Sequence, residues 1–224
     1  MYIDTGKGML TIIASPRIKQ KDKIYRIPVS NISEDKHIKQ PVGFLQVKGA
    51  LELLADTGNY SNVTPTTVVL DDLSSTADYA LDYALFLSGH LGQQPTQPDW
   101  GKQIRELQDL IELGISLPCN FICIAHERIL EDKLTGRVWC LPLITGQFVY
   151  KIGGFFDEVY HSKVMQNATG KEVYKLETKP SGIITAKSRL DLPAVIDTHF
   201  SSISGTIEKL NDSARKAQIQ NIQP

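Results

Sequence analysis

The chain has few cysteines, no excess of either charge and no long apolar run. Its 224 residues include three cysteines, Cys119, Cys123 and Cys140. So small and odd a number does not fit the disulfide framework of a small secreted protein, and reduced cytoplasm is the default expectation. No second Cys/His pair stands at the spacing a tetrahedral zinc needs, so Cys119 and Cys123 read as buried thiols. Lys and Arg together number 24 against 25 Asp and Glu, a formal net charge of −1. That balance argues against a polybasic nucleic-acid binder, and any DNA contact has to come from a local patch. No apolar run approaches the ~20 residues that cross a bilayer. The start, Met1-Tyr2-Ile3-Asp4-Thr5-Gly6, lacks the basic and apolar regions of a signal peptide. The expectation is a soluble, unexported protein with no membrane partner.

A phosphate-cradling G-x-x-x-x-G-K-[ST] loop is missing as well. The nearest runs are Gly6-Lys7-Gly8, Gly101-Lys102-Gln103 and Gly170-Lys171-Glu172, none followed by Ser or Thr.

What is present is the profile of one globular domain, or at most two, with 42% hydrophobic residues to bury. Short β-rich runs bounded by Gly, Pro, Asp or Ser occur at Met9–Ala14, Ile24–Val29, Thr66–Leu70, Asn120–Ala125, Val138–Leu143, Glu158–His161, Glu172–Glu177 and Gly182–Ala186. Helical spacing appears in Phe44–Leu54, Thr76–Leu87 and Trp100–Leu113. Asp99 stands where an N-cap would, and Gly114 where a C′ residue would. Strands alternating with helices predict a parallel α/β sheet. Beyond about residue 137 no long helix separates the strands, which predicts an antiparallel or mixed extension of that sheet. A short helix through Ile203, Ile207 and Leu210 and a polar tail complete the chain, dividing it into a core over 1–200 and a terminal segment over 201–224.

Three runs carry candidate chemistry. Thr66–Leu70 is a β-branched strand followed by Asp71-Asp72. A carboxylate at the carboxyl edge of a parallel sheet lies where α/β proteins bind ligands, as a Walker B acid does beside nucleotide-bound Mg²⁺. The same residues also suit an N-cap for the next helix. Asn120–Ala125 is a second such strand, ending in His126-Glu127. If it neighbours the first, those side chains stand beside Asp71, where a polar residue can sense a γ-phosphate. Alternatively His126 is a solvent-exposed strand end. In Ile184–Arg189 the cations Lys187 and Arg189 share one face of an extended segment and can reach one polyphosphate, or lie on an ordinary solvated strand.

Taken in order, Tyr2-Ile3-Asp4-Thr5, Ile27-Pro28-Val29, Thr67–Asp72, Pro98-Asp99-Trp100-Gly101, Cys123–Glu127, Leu143-Ile144-Thr145-Gly146, Gly154–Tyr160 and Ala186-Lys187-Ser188-Arg189 span nearly the whole chain. This succession resembles the RecA-like nucleotide-binding ATPases of phage recombination modules. The resemblance implies a RecA-like P-loop NTPase core, a mostly parallel sheet flanked by helices, that binds ATP and Mg²⁺ between subunits of an oligomer. It implies that Asp71, with Asp72, holds the Mg²⁺ shell through a bound water. His126 becomes the switch residue, and Lys187 and Arg189 become fingers reaching a neighbour's nucleotide. It also implies loops facing single-stranded DNA at Gly92–Asp99 and Arg128–Arg137, where Arg128, Lys133 and Arg137 offer phosphate contacts, or else are solvated loop charges.

The chain departs from that pattern at its beginning. Tyr2-Ile3-Asp4-Thr5 resembles the family's second core strand, so the first βα unit, with its phosphate loop, is missing from the expected order. The family's water-orienting acid falls on Gly6, which has no carboxylate. The resulting expectation is a phage RecA-like assembly subunit in DNA recombination or replication. It would work in the bacterial host cytoplasm, with hydrolysis impaired or lost, partnered by copies of itself or by a P-loop-bearing chain. The alternative is a non-catalytic structural or interaction protein reusing the fold.

Overall fold

The computed structural model describes residues 1–31 and 40–209. The chain divides into two compact units, Met1–Arg128 with Pro142–Phe155, and Ile129–Leu141 with the described residues from Phe156 onward.

The first unit is α/β. Its strands β1 (Tyr2–Asp4), β2 (Arg26–Pro28), β3 (Thr67–Asp71) and β4 (Asn120–Ile124) form one parallel sheet in the order β2-β1-β3-β4. Thr66–Leu70 and Asn120–Ala125 are therefore neighbouring parallel strands, as the sequence predicts. The register places Ile3, Leu70 and Cys123 in one row, with Val68 beside Phe121 in another, so these residues share a face. That face is the core side: Ile3, Val68 and Leu70 are fully buried.

Helices α2 (Gly43–Thr57), α3 (Leu73–Ser88) and α4 (Gln97–Ser116) pack on one another and cover it. In α2 the stripe Phe44, Val47, Leu51 and Leu54 recurs at helical spacing and is buried. Each of these side chains is worth about 1.5–3 kcal/mol of burial. In α3 the inward residues Ala77, Ala80 and Ala84 are small and buried, which lets neighbouring backbones approach. Both helices stop at a left-handed glycine, Gly58 at φ 70° and Gly89 at φ 73°.

The start and end of α4 differ from expectation. Thr96, not Asp99, is the N-cap, and Asp99 occupies the third helical position of a capping box. Gly114 lies inside the helix, because a Cβ there would meet the Phe121 ring of β4. Its role is close packing, not a left-handed turn.

Met9–Ala14, expected as a strand, is a six-residue helix, α1, with no buried residue. Gly8 before it and Ser15-Pro16 after it confine it to less than two turns.

From Glu127 to Pro142 the chain doubles back as a two-stranded sheet of β5 (Glu127–Glu131) and β6 (Val138–Pro142). The segment Arg128–Arg137 is thus mostly hairpin, not an open loop. Its turn is held by Asp132, which accepts from the Leu134 N–H at 2.9 Å and the Thr135 hydroxyl at 2.6 Å, and by Gly136 at φ 66°.

The second unit also holds the antiparallel sheet β7 (His161–Gln166), β8 (Glu172–Glu177) and β9 (Val195–Asp197). The antiparallel strands form sheets of their own and do not prolong the parallel one. Glu158–His161 and Gly182–Ala186 are not continuous strands: Val159 and Lys187 form an isolated bridge, as do Ile184 and Cys140. Residues 201–209 are helical. Leu210 and the polar tail lie outside the described residues.

Candidate functional site

The carboxyl edge of the parallel sheet gathers three aspartates. Asp4 ends β1 and Asp71 ends β3, and the register sets them side by side. Asp72 follows, joined to Asp71 by a cis peptide bond.

Each carboxylate already has work. Asp4 is 1% exposed and its Oδ2 accepts from Arg26 Nε at 2.7 Å and Nη2 at 2.6 Å, while Oδ1 accepts from the Gly8 N–H at 2.8 Å. Asp71 Oδ2 accepts from the Tyr2 hydroxyl. Burial first, and then that bond, raise the Tyr2 phenol above its ordinary range. Asp72 caps α3, its Oδ1 accepting from the Ser75 N–H at 2.6 Å and its Oδ2 from the Ser75 hydroxyl at 3.1 Å. Its backbone is locked to β1: the Thr5 hydroxyl donates to the Asp72 carbonyl at 2.7 Å, and the Asp72 N–H returns a bond to Thr5 Oγ1 at 2.6 Å.

His126 follows β4 and reaches Asp72, not Asp71, its Nε2 3.5 Å from Oδ2. The ring is 70% exposed, so this ion pair, when the ring is charged, is a surface one of small worth. Its backbone is fixed more firmly, with the N–H donating to Ser74 Oγ at 3.1 Å and the carbonyl accepting from the Leu143 N–H at 2.7 Å. Behind the cluster, burial and then the charges of Asp72 and Asp71 push the Cys123 thiol up to about 12.

The turn after β1 is not a phosphate cradle. The Thr5 and Gly6 N–H groups donate to the Asp71 carbonyl at 2.7 and 3.1 Å, and that of Gly8 is taken by Asp4. A Cβ at Gly6 would collide with Asp72 Oδ2, so a side chain fits there only if Asp72 moves. A Cβ at Gly8 would lie 2.6 Å from the Tyr2 hydroxyl and 2.7 Å from Asp71 Oδ2.

Carboxylate oxygens suit a hard cation such as Mg²⁺, but Asp4, Asp71 and Asp72 do not gather as a metal-ligand group among the described residues, and no phosphate cradle accompanies them there. Neither of two cavities in this unit has nucleotide dimensions. One, of about 160 Å³, is lined by Ser74, Ala77, Asp78, Arg128, Ile144 and Thr145, and the other, of about 270 Å³, lies beside Leu54, Leu117 and Cys119; both fall below the ~300 Å³ at which ligand pockets begin.

The remaining sequence-predicted residues fall elsewhere. Arg128 is half-buried against the smaller cavity, its Nε buried without a hydrogen-bond partner. Lys133 and Arg137 are exposed on the hairpin, and the Arg137 guanidinium sits 5.1 Å from the Trp139 ring centre. Lys187 and Arg189 belong to the second unit. Lys187 exchanges backbone bonds with Val159 at 2.7 and 2.9 Å, and Arg189 pairs with Asp157 and donates its N–H to Glu158 at 2.7 Å.

The structure adds Tyr2, Asp4, Thr5 and Arg26 to the group that sequence reasoning assembled. No known protein family, curated protein or solved structure matches the chain.

Proposed function

We infer that the chain is a RecA-like ATP-binding subunit of phage DNA recombination or replication that cannot hydrolyse ATP alone. The observation that carries this reading is the parallel order β2-β1-β3-β4 with Asp71 and Asp72 at the end of β3 and His126 at the end of adjacent β4. Asp71 holds a Mg²⁺-bound water, and Lys187 and Arg189 act on a neighbouring subunit's nucleotide. Single-stranded DNA lies against Lys133 and Arg137.

The phosphate loop comes from a βα unit outside the described sheet. β4 has one strand neighbour, β3, among the described residues. On the face away from α4, Ile122 is 47% and Ile124 43% exposed, although parallel sheets are ordinarily covered on both faces. The step from β3 out to β4 carries α3 and α4 on the Phe121 face. A strand docked on β4 and continuing to β1 steps the opposite way, so the same right-handed rule puts its helix on the Ile122 face. One unit therefore supplies both the missing edge and the missing cover, as part of a longer polypeptide or as another chain.

A second reading has its own support. Asp4, Asp71 and Asp72 are all engaged within the fold, as expected of a non-catalytic interaction protein. Phosphate release and equilibrium binding of a Mg²⁺–nucleotide analogue, with and without single-stranded DNA, separate the two. The chain alone is expected to turn over far below the ~1 s⁻¹ scale of competent phosphoryl-transfer enzymes, and to bind nucleotide once a P-loop-bearing partner is added. Turnover at that scale by the chain alone refutes the inference about hydrolysis, and no binding with any such partner favours the interaction protein.

A further inference from the structure

In the second unit three strands bring a thiol, an imidazole and a carboxylate into line. Cys140 on β6 is half-buried, and its N–H donates to the Ile183 carbonyl at 2.8 Å, which fixes the backbone beneath the sulfur. Its Sγ lies 3.9 Å from His161 Nε2 on β7. His161 and Glu177 are directly opposed in the β7–β8 ladder, with His161 Nδ1 2.9 Å from Glu177 Oε2. Lys163, on the same face of β7 as His161, donates to Glu177 Oε1.

The hydrogen-bonding roles follow from the partners. Lys163 first, and then His161, hold the Glu177 carboxyl below the usual carboxylate range. An ionised carboxylate only accepts, so Nδ1 carries a hydrogen and Nε2 is the ring nitrogen that faces the thiol. A base within reach of a thiol, oriented in turn by a carboxylate, is the arrangement that generates a nucleophilic sulfur. Burial raises the thiols of both Cys119 and Cys123, which lowers their thiolate fraction.

We propose that Cys140 is a nucleophilic thiol and a modification site for the disulfide of a small thiol. The Cys140 proton passes to His161 Nε2, and the sulfur attacks one sulfur of the disulfide. A new S–S bond forms as the old one breaks. The second sulfur leaves as a thiolate, and Nε2 gives its proton to that thiolate or, when the leaving thiolate is a weak base, to water, so Cys140 is oxidised to a mixed disulfide while half of the reagent is reduced.

The full chain treated with dithiobis(nitrobenzoate), a chromogenic aryl disulfide, reports this directly through its released thiolate. Mass spectrometry of the peptides assigns each modified cysteine. At neutral pH Cys140 is expected to react at least about tenfold faster than Cys119 and Cys123. Cys140→Ser removes the fast phase, and His161→Gln slows it by about tenfold when each rate is divided by that of the same cysteine in urea. Glu177→Gln, which keeps the side-chain shape and loses the charge, slows it several-fold and serves if His161→Gln does not fold. A Cys140 rate no greater than that of the other two cysteines, or one within twofold of wild type in a folded His161 or Glu177 variant, overturns the proposal.

Discussion

Replacing Asp72 separates what the carboxylate does for the fold from what its charge does for a ligand. Asp72 is 3% exposed, and its Oδ1 accepts from the Ser75 N–H at 2.6 Å. Asp72→Ala leaves that first-turn amide without its acceptor, and loss of such a cap costs about 0.5–2 kcal/mol. For a chain of this length each kcal/mol moves the melting temperature by about 2–4 °C, so the expected drop is about 1–8 °C. Asp72→Asn keeps an oxygen of the same reach, and Asn ranks with Asp as a cap. It gives up the negative charge at the helix N-terminus and the long contact to His126, whose ring is 70% exposed, and each of those is worth less than about 1 kcal/mol. Asp72→Asn is therefore expected to lose less than Asp72→Ala loses, by about the worth of the cap. Urea unfolding followed by far-ultraviolet circular dichroism measures both. Equal losses above about 1 kcal/mol would mean that charge, not capping geometry, holds the start of α3, and the account of this residue would be wrong.

Phe44, fully buried on α2 and stacked 5.6 Å from Tyr83, should cost about 3–5 kcal/mol when cut to Ala. Leu134→Ala, at a position 96% exposed, should stay within about 0.5 kcal/mol in the same unfolding assay. Asp99 is held well below the usual carboxylate range, first by the Thr96 hydroxyl and then by the Thr96 N–H. Its contribution is present above the unfolded carboxylate pKa of about 3.9 and is lost as pH falls through the lower folded value. Asp99→Asn should therefore flatten the acid limb of a stability–pH curve, and an unchanged limb would remove Asp99 from it.

The helices of the first unit were legible because α2, α3 and α4 repeat apolar residues every three or four positions over long stretches, a signal that local sequence carries by itself. Met9–Ala14 was not. A six-residue apolar run has too few residues for one period to win, and only the neighbours decide between strand and helix. The start of α4 did have a readable signal: Thr96-Gln97-Pro98-Asp99 spells a capping box with proline in the first turn, in which the threonine is the cap and Asp99 its third-position partner. Gly114 shows the opposite case, since nothing local says that a glycine faces an aromatic ring from a strand further along the chain. The site divides the same way. Asp71, Asp72 and His126 are strand-end residues and could be found from the strands alone. Tyr2, Arg26 and Thr5 matter through partners 69, 22 and 67 positions away, pairings that exist only once the sheet order is known.

That difference bears on how the aspartates are to be understood. Strand ends in a parallel sheet collect polar groups for a structural reason as well as a chemical one: the chain must leave the sheet, and the helix that follows needs a cap. Asp72 meets that need, and Asp4 neutralises the half-exposed Arg26 while holding the Gly6–Gly8 turn. Asp71 is different: it caps no helix, its carboxylate accepts from the hydroxyl of the buried Tyr2, and it is itself only partly buried. Of the three, Asp71 is thus the carboxylate whose position the fold explains least, and it stands on the face where Ile122 and Ile124 are left open. A carboxylate and an uncovered apolar strip on the same side of one sheet have a common explanation if one missing element covers the strip and brings its ligand to the carboxylate.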